Sequence, residues 1–208
     1  AAHRDPNAAL VAVTGPDIDV ERGPMTPQEI ARIRDSFAAQ SMMQTLGAEL
    51  SDVSKGLIRI EAPILPGTRQ QQGFGHAGLT FSIGDSAAGY AALTTLPLDT
   101  EVVTAEIKIN LLAPARGDRL IAIGKVVKPG KRLCVVTAEV FAQTGDQQVL
   151  IALLQGTMVP VPATAAQFTQ PYTTYCATGR AWTGGSDAPG PAWRPGRAPA
   201  SLPNWPWK

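Results

Sequence analysis

The sequence predicts an α+β domain in which an antiparallel sheet wraps around one long central helix. Three observations support this prediction: an apolar segment of helical length at residues 76–95, four strand-like segments after it, and a capped helix with a hairpin before it. A long apolar helix is stable in water only when it is buried on most sides. A sheet that curls around the helix provides that burial within a single domain.

The first predicted helix begins after Thr26. This threonine is followed by a proline and, three positions later, by Glu29, which together form a capping box with proline at the first helical position. Ile30, Ile33 and Phe37 then recur at the spacing of one helix face. The pattern therefore predicts an amphipathic helix at the start of the domain.

A β-hairpin is predicted next. Residues 48–52 and 57–62 are short strand-like runs, and the Ser-Lys-Gly sequence between them ends in Gly56, a residue typical of turns. A loop rich in glutamine and glycine at residues 64–75 then leads to the central segment.

The central segment, residues 76–95, consists mostly of small apolar residues and is nearly free of charge. Leu79, Ile83 and Ala87 follow helical spacing, and the segment lacks the density of β-branched residues that is typical of a strand. Asp85 is the single acidic residue inside it. We therefore expect a buried helix that carries one carboxylate among apolar neighbours.

Four strand-like segments follow, at residues 101–112, 119–127, 132–143 and 148–159. Each shows partial alternation of apolar and polar residues, and the connections between them contain proline, glycine and aspartate, which favour turns. Because consecutive strands joined by short connections pair antiparallel, we expect a four-stranded meander.

The chain divides into an N-terminal arm at residues 1–24, a folded domain at residues 25–162 and a C-terminal tail at residues 163–208. The tail is rich in proline and glycine, holds all four tryptophans and shows no sustained helical or strand period. It therefore has no amphipathic face from which a packed core is predicted.

The composition argues against several classes of protein. A net charge of +1, with 17% charged residues, predicts no nucleic-acid partner and no anionic membrane surface. No apolar run is long enough to span a bilayer. The two cysteines, Cys134 and Cys176, are far apart and form no metal-binding motif, so we expect free thiols, no metal ion and a cytoplasmic location.

The start of the central helix and the acid inside it are the candidate chemical groups. The first N–H groups of a helix lack partners and are electropositive, so the amide of Gly78, just after His76 and Ala77, is a candidate to polarise a carbonyl oxygen. Asp85, partly desolvated, is a candidate base or nucleophile. A purely structural hydrogen bond for Asp85 and a helix-capping role for His76 are the simpler alternatives.

His76 and Asp85 are separated by nine positions, or about 13 Å along a helix at about 1.5 Å per residue. One subunit therefore does not bring both side chains to the same carbonyl. A site shared across a dimer interface, with the helix start from one chain and the acid from the other, removes this difficulty.

The sequence HAGLTFSIGDSAAGYA and the strands after it, which contain TAEIKINLLAPARGDRL and end in QGTM, resemble the PaaI-like branch of the hotdog-fold thioesterases. The resemblance covers about residues 26–161. It implies hydrolysis of acyl-CoA thioesters to a free acid and CoA, with no cofactor beyond the CoA of the substrate. It also implies a homodimer or homotetramer with active sites shared between subunits.

The resemblance assigns roles to five residues. Asp85 corresponds to the general base or nucleophile, and Gly78 to the glycine whose N–H binds the thioester oxygen. His76 corresponds to the histidine that shapes the turn. Gln70 stands where many members have an asparagine that positions the lytic water, and Thr104 stands near a serine or threonine that holds that water.

Substrate-binding residues are predicted in two places. CoA needs cations for its phosphates; Lys128, Lys131 and Arg132 cluster at one hairpin, and Arg116 lies at another turn. Cations in loops are more often simply solvated, and the Lys128–Arg132 cluster is the candidate to contact the phosphates. Phe81 and Tyr90 are candidates to line an acyl or aryl pocket, although aromatic residues in a buried helix more often belong to the core.

Two departures from the family pattern support an alternative function. Ala77 replaces the first glycine of the family's His-Gly-Gly sequence, and Gln70 replaces the asparagine. If these changes abolish turnover, the chain is instead a non-catalytic hotdog domain that binds acyl ligands or acts as an assembly subunit. A hotdog dehydratase is a weaker alternative, because its histidine–acid pair is not evident.

Overall fold

The computed structural model describes residues 23–163. The predicted arm and tail lie almost entirely outside these residues, so the domain boundaries stay predictions. The helices are α1 (Pro27–Ala38), α2 (Ser41–Thr45) and α3 (Ala77–Leu93), with a short 3-10 turn at Pro66–Thr68; the strands are β1 (Glu49–Ser54), β2 (Leu57–Pro63), β3 (Thr100–Leu111), β4 (Arg119–Lys128), β5 (Cys134–Thr144) and β6 (Gln147–Pro162).

The six strands form one sheet in the order β1-β2-β4-β5-β6-β3, and every neighbouring pair is antiparallel. The long helix α3 packs against the inner face of this sheet, and Ile83, Ala87 and Ala91 on it are fully buried. The predicted fold class, a sheet wrapped around a central helix, is confirmed. None of the helices described is long and apolar enough to cross a bilayer.

The predicted four-stranded meander is wrong in one respect. Strands β4, β5 and β6 form a meander, but β3 pairs with β6 at the far edge of the sheet instead of with β4. The hairpin strand β2 already occupies that side of β4. Helix α3 leaves β2 and crosses the face of the sheet, so the chain enters β3 at the opposite edge.

The connection from β3 to β4 crosses one end of the sheet. Leu112 N donates to Ile151 O of β6 at 2.8 Å, and Asp118 N then donates to Gln143 O of β5 at 2.8 Å. Between these points, Gly75 N donates to Ala115 O at 2.9 Å. These bonds tie the crossing segment, residues 112–118, to the loop that precedes α3.

Small residues allow α3 to pack closely on the sheet. A side chain at Gly124 of β4 would clash with the backbone of Ala87, and one at Gly84 would lie 2.9 Å from Leu154. The predicted capping box of α1 is also confirmed, since Thr26 Oγ1 accepts from Glu29 N at 3.2 Å and Glu29 Oε2 accepts from Thr26 N at 2.7 Å.

One stripe of α3 is not covered by the sheet. Its residues are exposed or only half-buried and recur at helical spacing: Ala77, Gly78, Phe81, Ser82, Asp85, Ser86 and Gly89. The adjacent edge strand β3 is also open, and its residues 103–106 are exposed. We call these two features together the open face.

Candidate active site

Asp85 lies on the open stripe of α3 and is bonded to the edge strand. Thr104 Oγ1 donates to Asp85 Oδ1 at 2.9 Å, which leaves Oδ2 without a protein donor among the described residues. A hydroxyl that donates to one carboxylate oxygen fixes the orientation of the carboxylate and keeps the other oxygen available.

A β-bulge in β3 explains why Thr104 is aimed at the helix. Thr104 pairs with Met158 and Glu106 pairs with Thr157, so Ala105 between them has no partner on β6. Such an insertion changes the direction of the side chains beside it. The Thr104 hydroxyl also lies 3.4 Å from Met158 Sδ, a much weaker acceptor than a carboxylate.

Burial raises the pKa of the Asp85 carboxyl, and the hydrogen bond from Thr104 opposes this rise. Desolvation disfavours the charged form, whereas a donor stabilises it. Asp85 is therefore a carboxylate of increased basicity that is held in one orientation, which is the condition a general base or nucleophile requires.

His76 caps the start of α3. Its Nδ1 accepts from Gly78 N at 2.8 Å, which makes His76 the N-cap residue and leaves the ring proton on Nε2. The structure therefore confirms the capping alternative for His76. It also differs from the prediction for Gly78, because the N–H expected to bind the thioester oxygen is already donated to His76.

The free N–H at this helix start belongs to Ala77. No described residue accepts from Ala77 N, while Leu79 N donates to His76 O at 3.0 Å. The sequence prediction missed Ala77, but the signal was present. An N-cap side chain accepts from the second or third helical N–H, so a capping His76 takes the Gly78 amide and leaves the amide of Ala77 free.

Ala77 opens onto a cleft of about 440 Å³ between the 70–75 loop and the crossing segment. None of the residues lining the cleft is charged: Gln70, Gln72, Phe74, Gly75, Ala77, Thr80, Leu111, Leu112, Ala113, Pro114, Ala115 and Ile151. The cleft is uncharged and largely apolar, and one of its lining residues, Ala77, carries an N–H without a described acceptor, so the cleft suits a neutral group that carries a carbonyl oxygen.

Gln70 lies in the same cleft, but its side chain is used within the loop. Its Oε1 accepts from Gln72 N, and its Nε2 lies 3.4 Å from Gln72 Oε1. Gly73 N donates to Gln70 O at 2.9 Å, which closes the turn. The contacts described are thus structural ones, and the predicted role of Gln70 in positioning water stays a prediction.

Asp85 and Ala77 do not meet within one chain. They are eight positions apart on α3, or about 12 Å at about 1.5 Å per residue. Thr104 and Leu111, at the two ends of the same stretch of β3, are about 23 Å apart at about 3.3 Å per residue. The carboxylate and the cleft therefore lie at different places on the open face of the chain.

The two aromatic residues predicted to bind the acyl group differ in position. Tyr90 is only 5% exposed, its hydroxyl lies 3.2 Å from Ser36 Oγ, and its ring packs edge-on against Phe37 at 5.8 Å between centroids. Tyr90 is therefore a core residue that joins α1 to α3, which agrees with the core alternative, and its role in binding an acyl group stays a prediction. Phe81 is 38% exposed on the open stripe and stays a candidate.

Lys128, Lys131 and Arg132 are exposed on the β4–β5 connection and form no ion pair with any residue of the described range. This connection lies at the Thr104 end of the sheet, because Cys134 is opposite Met158, which is opposite Thr104. The cleft lies at the other end. A phosphate-binding role for the three cations stays a prediction.

Comparisons with known proteins point to one family. The family model described as "Thioesterase superfamily" matches residues 72–149, which include Ala77, Asp85 and Thr104. A candidate esterase of Saccharolobus solfataricus is 30% identical over 130 residues, which cover 62% of this chain and 84% of that protein.

Solved structures agree with this match. A thioesterase family protein from Silicibacter pomeroyi is 37% identical, with a TM-score of 0.63, and the match covers 64% of this chain and 98% of that one. The E. coli PaaI protein from the phenylacetic acid degradation operon is 22% identical, with a TM-score of 0.60, over 66% of this chain and 96% of its own. At that identity, the PaaI likeness concerns the fold alone.

Proposed function

Because the chain belongs to the thioesterase superfamily, whose members share the hotdog fold, we propose that it hydrolyses acyl-CoA thioesters to a free acid and CoA. Family membership supports hydrolysis of thioesters or esters in general, and CoA as the thiol portion is our proposal. The observation that carries it is Asp85, a half-buried carboxylate with a raised pKa that Thr104 holds on the open face.

We further propose that the working unit is a homodimer in which the open faces of two chains meet. An exposed edge strand is a template for pairing with another strand, and small residues on a helix allow a second helix to approach closely. In a two-fold dimer the same surface is used by both chains, so Asp85 of one subunit can approach the helix start of the other.

In this dimer, the thioester carbonyl enters the cleft and its oxygen accepts from the N–H of Ala77. The Ala77 N–H lies at the positive end of α3, where an oxyanion is stabilised. Asp85 of the partner subunit then either takes a proton from the attacking water or attacks the carbonyl carbon itself. In both cases the bond from the acyl carbon to sulfur breaks, the thiol leaves with a proton, and water supplies the oxygen of the acid.

His76 and Gly78 hold the helix start in shape in this proposal. A side chain at Gly78 would place its Cβ 3.0 Å from His76 Nδ1 and displace the imidazole. Gln70 contributes a polar group to the cleft, and Lys128, Lys131 and Arg132 remain candidates for contact with the nucleotide. The cytoplasmic location also stays a prediction. It is inferred from two free thiols, of which Cys134 is free and buried in the structure and Cys176 lies outside the described residues.

The test is thiol release from a panel of acyl-CoAs by the native protein, by Asp85→Asn and by Ala77→Pro. Proline is tolerated at the first position of a helix, where Ala77 lies, and the extended backbone of His76 (φ −68°, ψ 145°) is the one that proline favours before it. Ala77→Pro thus removes one N–H and little else, and Ala77→Gly, which keeps the N–H, is its matched control.

We expect Asp85→Asn to lower kcat at least about a hundredfold, as for the loss of an acid–base group. Ala77→Pro should lower it about 10²–10³-fold, as for the loss of one oxyanion donor, with Ala77→Gly close to the native value. Release that is equal in the native protein and Asp85→Asn would reject this mechanism. Binding of acyl-CoA without any release would favour the alternative, a non-catalytic acyl-binding subunit.

A further inference from the structure

Arg116 is positioned against an aromatic ring at the edge of the cleft. Gly75 and Ala115 form an isolated antiparallel bridge, so the next pair, Phe74 and Arg116, are cross-strand neighbours with their side chains on one side. The guanidinium carbon of Arg116 lies 4.4 Å from the centroid of the Phe74 ring. This is the distance of a cation–π contact, which orients a flat guanidinium without using its N–H groups.

The guanidinium N–H groups of Arg116 have no acceptor within residues 23–163, where the side chain forms neither a hydrogen bond nor an ion pair, and only the backbone N–H is used, as a donor to Pro114 O at 2.8 Å. Arg69, on the other side of Gly75, differs from Arg116 in the use of its guanidinium. Arg69, which is bridged to Gly75, donates from Nη2 to Ile64 O at 3.2 Å. Arg116 therefore presents a fork of donors to solvent, whereas Arg69 closes its own loop.

The position of Arg116 relates it to the substrate. Phe74 and Ala115, its stacking partner and its chain neighbour, both line the cleft together with Ala77, and none of the lining residues is charged. A positive charge beside an uncharged cleft attracts an anionic group that extends from a ligand inside the cleft. The Lys128–Arg132 connection of the same chain lies at the other end of the strands.

We propose that Arg116, held by Phe74, binds an anionic oxygen group of the substrate whose carbonyl is bound at Ala77. The chemistry is a charge-assisted, forked hydrogen bond to a phosphate or a carboxylate. The source of the anion is either a phosphate of CoA or a carboxylate at the far end of the acyl group. This inference rests on the proposed function, because it concerns the same substrate in the same cleft.

The test uses four thioesters and three proteins, with Arg116→Lys as a further variant. The thioesters are butyryl-CoA, glutaryl-CoA and the two corresponding N-acetylcysteamine thioesters, which lack phosphates. The proteins are the native chain, Arg116→Ala and Arg34→Ala, the last being a matched loss of one exposed charge on α1. KM and kcat are measured for each pair, because a contact made equally in the ground state and the transition state changes KM alone.

Two results support the proposal and identify the source of the anion. A rise in KM of about tenfold for both CoA esters, with the cysteamine esters unchanged, assigns the phosphate, and the factor is that expected for one exposed charge-assisted bond. A similar rise for both glutaryl esters, with the butyryl esters unchanged, assigns the carboxylate. In either case Arg116→Lys should recover only part of the affinity, because an ammonium lacks the planar fork.

A KM that Arg116→Ala leaves within twofold of the Arg34→Ala value for all four esters would overturn the proposal. If the native protein releases no thiol at all, the proposed function fails, and Arg116 is then tested by calorimetric titration with CoA and with glutaryl-N-acetylcysteamine. Weaker binding of either probe by Arg116→Ala than by Arg34→Ala supports the site. Equal binding of both probes, or binding of neither by the native protein, overturns it.

Discussion

Replacing Thr104 with valine removes the one hydroxyl within residues 23–163 that donates to Asp85, and it preserves the branched shape of the side chain. We expect this change to raise the pKa of Asp85 further. Burial already raises that pKa, and the Thr104 bond is the opposing influence. Because Asp85 acts as a base or nucleophile only when ionised, the acid limb of the activity profile should move to higher pH.

The size of the shift follows from the strength of the bond. A hydrogen bond to a charged group contributes about 1.5–3 kcal/mol, and the lower end applies here because Asp85 is only half-buried. One pKa unit corresponds to about 1.4 kcal/mol, so the expected shift is about one unit. Below the native pKa the variant should be about tenfold slower than the native protein, and the two should converge at higher pH.

The assay is kcat/KM for thiol release as a function of pH, which reports the pKa of the free enzyme. Thr104→Ser keeps the hydroxyl and should keep the native acid limb. A merely structural role for Thr104 would lower activity by the same factor at every pH. An acid limb that stays in place in Thr104→Val, while Asp85 is still required for activity, would refute the reasoning.

Three further predictions concern the fold and its relation to the site. Burial raises the pKa of Asp85 in the folded state, so its ionised form costs stability at pH 7 and Asp85→Asn should raise Tm there. A thermal scan at a pH below the ordinary aspartate range, where the carboxyl is protonated in both states, should show no difference between the two proteins. Gly124→Ala would press a methyl group into the backbone of α3, and should cost about 1–3 kcal/mol in chemical denaturation, whereas Gly67→Ala, with open space around it, should change stability by less than about 0.5 kcal/mol. Tyr90→Phe loses the contact with Ser36 and should destabilise the fold by about 1 kcal/mol without changing KM for acyl-CoA, and an altered KM would return Tyr90 to the binding site.

Local signals in the sequence predicted most of the elements. The capping box at Thr26 and Glu29 and the apolar run with its single acid are short-range patterns, and the structure confirms the elements that they predict. The order of the strands in the sheet could not be predicted from the sequence. Nothing in the spacing of the strands says that β3 pairs with β6, since this follows from the path of α3 across a sheet edge that β2 already fills.

The candidate site was predictable by residue type but not by contact. The importance of Asp85 follows from its being the one carboxylate in an apolar helix. Its hydrogen bond from Thr104 depends on a β-bulge at Ala105, and no turn-forming residue marks this bulge in the sequence. The free N–H at the helix start belongs to Ala77 and not to Gly78, because the capping His76 accepts from the N–H of Gly78. The stacking of Arg116 on Phe74 arises from a bridge between two loops, and loop pairing leaves no periodic signal in the sequence.

A mixing experiment with two inactive variants tests the central claim, a site shared between two chains, most directly. Asp85→Asn keeps the amide of Ala77, and Ala77→Pro keeps the carboxylate, so a dimer with one chain of each has one intact site and one doubly defective site. Random reassociation of equal amounts makes half of the dimers mixed, so thiol release should recover to about one quarter of the native rate in a two-fold dimer. If each site lies within a single chain, every chain carries a defect, and a mixture that stays as inactive as its components would contradict the account.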